Sequence, residues 1–268
     1  MGDIKWIFHD GAVIAKRNLI RLVRVPDVLV FVLISPIMFV LLFAYVFGNS
    51  IDIPGGTYRE FLMAGIFAQT VVFGATFTGA GLAEDMQKGV IDRFRSLPMS
   101  RSAVVLGRTA SDITYNILSL LIMAVTGLLV GWRIHTSVGE ALLGFALLLV
   151  FAYAVSWIMA LVGLLVPSVD VINNASFMVI FPLTFVANTF VPSDNLPTPL
   201  RIFAEWNPVS SATQATRVLF GNIPPGTPEP SVWSLQHPVI YTLIWVGIII
   251  AIFAPLSVAR YNSMSQRG

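Results

Sequence analysis

The sequence predicts an all-α integral membrane protein, a single transmembrane domain over residues 1–268 with six transmembrane helices. Three observations predict it. Charge is scarce, uncharged apolar runs of about twenty residues recur, and lysine and arginine gather on alternate connections. Only 11% of the residues are charged while 56% are hydrophobic, and the mean hydropathy is +0.81. A soluble domain carries about 25% charge, so most of this surface must meet lipid.

Residues 1–25 read as an amphipathic interface helix. Arg17, Arg21 and Arg24 form a basic stripe, Phe8, Ala12, Ala15, Leu19 and Val23 an apolar one, and Trp6 adds an interfacial aromatic. Asp3 and Asp10, with no apolar core before Pro26, argue against a cleaved signal. Spans are expected at 28–47, 60–83, 109–131, 140–164, 171–191 and 238–258. Ser35-Pro36 kinks the first and Pro182 the fifth, as membrane helices tolerate. The second carries Gly74, Thr78 and Gly81 at helical spacing, suited to close helix contact. The connection 84–101 is the most polar between spans. Residues 192–237, rich in Pro, Asn and Ser, form an extracellular segment with helical pieces near 198–206 and 210–220. Both pieces are too short to cross, so they are expected to be interfacial or re-entrant.

Orientation follows from the sixteen lysines and arginines. Twelve fall on one side: Lys5, Lys16, Arg17, Arg21 and Arg24; Lys88, Arg93, Arg95, Arg101 and Arg108; Arg260 and Arg267. Only Arg59, Arg133, Arg201 and Arg217 fall on the other. Both termini are therefore expected in the cytoplasm, which requires an even number of spans. The net charge of +2 and pI of about 9.1 reflect this topology, not a nucleic-acid surface.

Several chemistries are excluded. There is no cysteine, hence no disulfide, thiolate nucleophile or cysteine-ligated metal. No Gly-x-x-x-x-Gly-Lys-Ser/Thr loop occurs, and the only lysines, Lys5, Lys16 and Lys88, lie outside any glycine-rich phosphate loop. His9, His135 and His237 are not at metal-binding spacing and have no serine partner on a span. Neither a catalytic nor a metal residue is expected. Ion-coupled transport leaves ionisable groups at mid-membrane, whereas Glu60, Asp112, Glu140 and Asp170 fall near the ends of the expected spans.

Two segments remain. In the first, from Ala83 to Arg101, Met86, Val90, Ile91 and Phe94 recur at helical spacing with charges between them, and Pro98 ends the run. Such a helix can lie along the membrane face and enter a groove on a soluble partner. The same arginines would serve equally to set topology alone. The second runs from Asn195-Leu196-Pro197 through Asn207-Pro208 to Ala215-Thr216-Arg217-Val218-Leu219-Phe220-Gly221.

Together these resemble the ABC type-2 exporter permeases, in particular the daunorubicin-resistance-like transmembrane subunits. Glu84, Gly89 and Arg95-Ser96-Leu97-Pro98-Met99-Ser100-Arg101 match a Glu, a Gly and a Leu-Pro-x-Ser-Arg-like run. The second segment matches Leu-Pro, Asn-Pro and Ala-x-Arg-x-Leu-x-Gly. The resemblance covers nearly the whole chain. It implies that 84–101 is a coupling helix docking on a separate ABC ATPase subunit, with Glu84, Asp85, Gly89, Arg93, Arg95, Leu97, Pro98 and Arg101 as its contact residues.

The resemblance further implies two ATPase copies, which would bind the ATP and Mg, with no cofactor in this chain. A second permease, identical or paralogous, would complete a pathway lined by the second and fifth spans. Phe73, Gly74, Phe77, Thr78, Gly81, Phe185, Asn188 and Thr189 are the candidates to line it, although plain helix packing is the commoner explanation for the small and polar residues and a lipid-facing position for the phenylalanines. The implied function is export of a hydrophobic or amphipathic drug or lipid across the cytoplasmic membrane of a prokaryote. The alternative is a secondary transporter or channel working without an ATPase.

Overall fold

A computed structural model describes residues 13, 14, 16, 17, 20, 26–47, 56–90, 101–166, 168–193 and 196–264. Every regular element among them is helical. Helix α1 spans Pro26–Leu42 and runs into a π-helical turn, Phe43–Phe47. Helices α2 (Tyr58–Gly74) and α3 (Thr76–Gln87) form one rod with a break at Ala75. There Thr76 Oγ1 donates to the Phe73 carbonyl at 2.7 Å. Helix α4 is Arg101–Val130, α5 is Val138–Leu165 and α6 is Val169–Phe185. Helices α7 (Thr198–Trp206) and α8 (Pro208–Phe220) form a hairpin, and one turn, α9 (Trp233–Gln236), leads into α10 (Pro238–Met264).

Four of these are long and apolar enough to cross a membrane: Tyr58–Gln87, Val105–Val130, Val138–Leu165 and Pro238–Ser263. Two shorter apolar helices, Ile34–Val46 and Val169–Phe185, accompany them. The expected fifth span, 171–191, is helical only as far as Phe185; turns and bends follow to Val191. Pro182 removes one backbone donor in the last turn, and Asn207 Nδ2 donates to the Leu183 carbonyl at 2.7 Å. The helix therefore stops where the α7–α8 hairpin takes over its acceptors. At the other limit α4 begins at Arg101, not 109, which carries Arg108 into the bundle.

The expected coupling helix over 84–98 falls largely outside the described residues, of which 84–90 are seen. Glu84–Gln87 are the last turn of α3, and Gly89, at φ 64°, turns the chain just beyond it. Only glycine takes that conformation without strain. Residues 91–100 lie outside the described residues, among them Arg93, Arg95, Leu97 and Pro98. Of the expected interface helix over 1–25, residues 13, 14, 16, 17 and 20 are described, all helical.

Helix α5 is the hub, packed against α3, α4, α8 and α10. It starts at a capping box: Ser137 Oγ accepts from the Glu140 amide at 3.3 Å, and the Ser137 amide donates to Glu140 Oε2 at 3.0 Å. That arrangement contributes about 1 kcal/mol. Its crossing with α3 is backbone on backbone: a Cβ on Gly163 would meet the Gly79 carbonyl oxygen and lie 2.7 Å from the Gly79 Cα. Close approach of this kind, not hydrophobic burial, drives helix association in lipid. Helix α10 turns Ile240, Ile244, Ile248, Ile252 and Leu256 outward at four-residue intervals, the spacing of one helical face meeting acyl chains.

The opposite ends of the bundle differ. At the Trp132 end, the 131–137 loop is clamped to α8. Trp132 Nε1 donates to Asn222 Oδ1 at 2.7 Å, Asn222 Nδ2 to the Arg133 carbonyl at 2.8 Å, and Thr136 Oγ1 to the Leu219 carbonyl at 2.6 Å. Beneath them Trp132, Phe67, Phe145 and Phe220 pack edge-on or tilted. At the Asp85 end a second apolar cluster joins Ile14, Leu82, Val105, Trp157 and Tyr261.

Candidate ligand cavity and coupling end

A cavity of about 460 Å³ lies between α1, α2, α3, α4 and α6. Six aromatic rings line it: Phe39 from α1, Phe73 from α2, Phe77 from α3, Tyr115 from α4, and Phe177 and Phe181 from α6. The few polar groups are Ser35, Gln69, Thr70 and Thr76. The size suits a drug-sized apolar molecule held by a small number of hydrogen bonds. Phe73 and Phe77, four residues apart, lie on the same wall, and Phe77 packs edge-on to Tyr115 at 5.2 Å.

From this cavity an aromatic ladder climbs α6. Phe177, Phe181 and Phe185 recur every four residues, with ring centroids 4.9 and 3.9 Å apart. Phe185 meets Phe190 at 4.7 Å, Phe190 meets Phe43 at 4.6 Å, and Phe43 stacks on Phe39 at 5.5 Å. The rings thus run continuously from the cavity toward the Trp132 end and back to the cavity wall along α1.

Of the residues expected to line a pathway, Phe73, Gly74 and Phe77 line this cavity, and Phe185 joins it through the ladder. The others serve different contacts. Thr78 is fully buried and donates to Asp112 Oδ2. Gly81 lies against the Arg108 guanidinium, which a Cβ there would strike. The Asn188 amide donates to Ser210 Oγ at 2.9 Å, and the Thr189 carbonyl accepts from Arg217 Nη2 at 3.3 Å. Phe39, Phe177, Phe181 and Tyr115 were not singled out from the sequence. The four-residue repeat 177–181–185 was the available signal, and in an apolar span it is indistinguishable from a lipid-facing stripe.

Behind the cavity sits a buried polar cluster on α4. Arg108 Nη2 donates to the Phe77 carbonyl at 2.6 Å and its Nε lies 3.8 Å from Asp112 Oδ1. Asn116 Nδ2 donates to the Asp112 carbonyl at 2.9 Å, and a Cβ on Gly74 would come 2.7 Å from Asn116 Oδ1. The sequence expectation that Asp112 sits at a span end changes accordingly: about three turns of α4 precede it, and its carboxylate is 8% exposed.

At the far end of α3, Asp85 turns inward. Its carboxylate accepts from Arg17 Nη2 at 2.6 Å and is 7% exposed. Glu84 pairs with Lys88 at 2.6 Å, one turn on. The partly buried Arg17–Asp85 contact ties the N-terminal segment to the end of α3, a link that helical periodicity within either segment cannot reveal. The side chain of Arg101 lies outside the described residues.

No group of three or more His, Cys, Asp or Glu side chains that could hold a metal occurs among the described residues. Among known proteins, the family model described as ABC-2 type transporter matches residues 11–220. A daunorubicin resistance ABC transporter permease protein of Streptomyces coeruleorubidus is 30% identical over 247 residues, covering 92% of this chain and 84% of that protein. A protein of Mycobacterium tuberculosis named as a probable doxorubicin resistance ABC transporter permease is 23% identical, covering 91% and 85%.

Proposed function

This chain belongs to the ABC-2 type transporter family, and we propose that it is the permease subunit of an exporter that moves an apolar or amphipathic drug or lipid through the aromatic cavity. Two copies of a separate ATPase would drive it, and a second permease, identical or paralogous, would complete the pathway. The observation that carries this reading is the continuity of α3. The helix has Phe77 on the cavity wall and Glu84–Asp85 at its end, eight residues or about 12 Å further along the axis. A partner pressing on the Asp85 end would tilt a rod whose other end shapes the cavity. The Arg17–Asp85 pair would make the N-terminal segment move with it. The ATPase would then bias two packings of the bundle.

The same reading has six crossings, the two shorter apolar helices completing them, with both termini in the cytoplasm of a prokaryotic cell. The charge bias supports it. Removing Arg108 and Arg217, whose side chains pack inside the protein, lowers both sides of the count equally and leaves its direction unchanged. Residues 84–101 would meet the ATPase, and Arg93, Arg95, Leu97, Pro98 and Arg101 would supply contacts beyond Glu84 and Gly89. Asp85, turned inward, would instead hold the N-terminal segment in place.

Two measurements test this. Affinity purification of the chain from membranes of its native host should bring down an ATP-hydrolysing subunit whose activity rises with apolar cationic or neutral drugs. Recovery of a drug-transporting protein free of any ATPase would overturn the reading. Within the complex, Arg17→Glu should lower drug-stimulated hydrolysis at least several-fold while the protein still inserts, and Arg17→Glu combined with Asp85→Arg should recover most of it. Equal stimulation in the single variant and the wild type would remove the N-terminal segment from the coupling path.

A further inference from the structure

Helix α8 is polar in sequence yet buried on almost every side: Ser210, Ser211, Thr213, Thr216 and Arg217 are each at most 2% exposed. Ser211 and Thr216 are accounted for. Ser211 Oγ donates to the Pro208 carbonyl and accepts from Thr242, and Thr216 donates to the Ala212 carbonyl. The stripe Ser210, Thr213, Arg217, at i, i+3 and i+7, is different. It faces the 187–190 segment beyond α6. Ser210 Oγ accepts from the Asn188 amide at one end of the stripe and Arg217 Nη2 reaches the Thr189 carbonyl at the other.

On the residues of this stripe and the segment it meets, four buried polar atoms have no hydrogen-bond partner among the described residues: Asn188 Oδ1, Thr189 Oγ1, Thr213 Oγ1 and Arg217 Nη1. An orphaned buried polar group costs about 1–3 kcal/mol, and native interiors leave few of them. Four at one junction of three elements are therefore a concentration that calls for a guest. The charge points the same way. Arg217 has a backbone carbonyl on Nε (Phe61, 3.1 Å) and the Phe61 ring 3.5 Å beneath its guanidinium, but no carboxylate pairs with it among the described residues. Burial lowers its pKa to about 9, which still leaves a cation at neutral pH.

We propose that Asn188, Thr189, Thr213 and Arg217 form an internal site for a small inorganic monoanion of chloride size, which pins the α7–α8 hairpin to α2 and the end of α6. The donor set is one guanidinium N–H and two hydroxyls. The Asn188 side chain adds a third kind of donor when its amide is turned over, an orientation that hydrogen-bond networks and not density usually decide. The anion supplies the countercharge that Arg217 lacks in a medium where an unpaired charge is costly. A water molecule would satisfy the hydroxyls and leave the cation uncompensated.

The test is thermal unfolding of the purified permease in nanodiscs, followed by tryptophan fluorescence. Sodium chloride or bromide is titrated against sodium gluconate at constant ionic strength. The expected result is a saturable rise in Tm with chloride and bromide. In Thr213→Val, which keeps the shape and the surface charge, the apparent halide affinity should fall about tenfold, the loss of one hydrogen bond to a charged partner. Two results would overturn the proposal: a wild-type Tm equal in chloride and gluconate, or a halide response in Thr213→Val equal to that of the wild type. The first outcome would leave a buried water as the occupant. Because the readout needs neither ATPase nor drug, it succeeds or fails independently of the transport reading.

Discussion

Gly163→Val is expected to abolish accumulation of folded protein, and Gly163→Ala to destabilise it by about 2–3 kcal/mol. At this position α5 crosses α3 with no side chain between the backbones. A Cβ there would press on the Gly79 carbonyl oxygen, the Gly79 Cα at 2.7 Å and its carbonyl carbon at 2.9 Å. None of those atoms can rotate away, so the two helices would have to separate. The reciprocal site is equally closed, since a Cβ on Gly79 would lie 2.7 Å from the Met159 carbonyl oxygen. Gly127→Ala is the control. Its nearest obstacle is Met63 Cε at 2.6 Å, the end of a flexible side chain that can move aside, so its cost should be well below that of Gly163→Ala. Thermal unfolding in detergent, read from tryptophan fluorescence, compares the two alanine variants with the wild type, and the yield of folded protein reads Gly163→Val. If Gly163→Ala melts with the wild type, the α3–α5 crossing is not held by backbone contact.

Asp112→Ala should be the other severe change. Asp112 accepts from Thr78 and faces Arg108, whose side chain is 13% exposed. Removing the carboxylate leaves a buried guanidinium and an unpaired hydroxyl, a loss of about 3–5 kcal/mol. Pairing Asp112→Ala with Arg108→Met should recover more than half of that loss, because replacing both ions by apolar groups removes the desolvation problem instead of exposing it. Recovery of folded protein after membrane extraction, and its midpoint of thermal unfolding, give both numbers. A double variant no better than Asp112→Ala would show that the cluster acts through its hydrogen bonds to the Phe77 carbonyl and Thr78, and not through its charge. The distinction bears on the cavity as well. Arg108 holds the carbonyl of Phe77, and Asn116, one turn beyond Asp112, touches Gly74, so this cluster fixes two residues of the cavity wall.

The candidate site was only partly legible in the sequence. Phe73, Gly74 and Phe77 could be named because small and aromatic residues at helical spacing on one span already suggest a face. Thr78 and Gly81, on the same span, serve other contacts, because Asp112 takes the Thr78 hydroxyl and the Arg108 guanidinium covers Gly81. Asn188 and Thr189 looked like polar residues in a fifth span. They lie instead beyond the end of α6, where they meet α8, since Pro182 and the Asn207 side chain stop the helix at Phe185. Arg217 entered the charge count as a residue of the extracellular segment and is in fact the most deeply packed cation of the hairpin, held over the Phe61 ring.

What the sequence determined by itself is the solvent of this protein and the material of its elements. With 56% hydrophobic and 11% charged residues the chain must meet lipid, and its uncharged apolar runs of about twenty residues are the length of helical crossings, in which the backbone satisfies itself where the bilayer leaves no water. Its motifs also pointed to the permease family before any coordinate did. The tertiary structure alone decided which apolar residues face one another and which face acyl chains. In lipid both surroundings are equally apolar, so a phenylalanine on the cavity ladder and one on the outer face carry the same signature. Close glycine contacts, buried ion pairs and the inward turn of Asp85 toward Arg17 break that symmetry, and each depends on segments far apart in the chain.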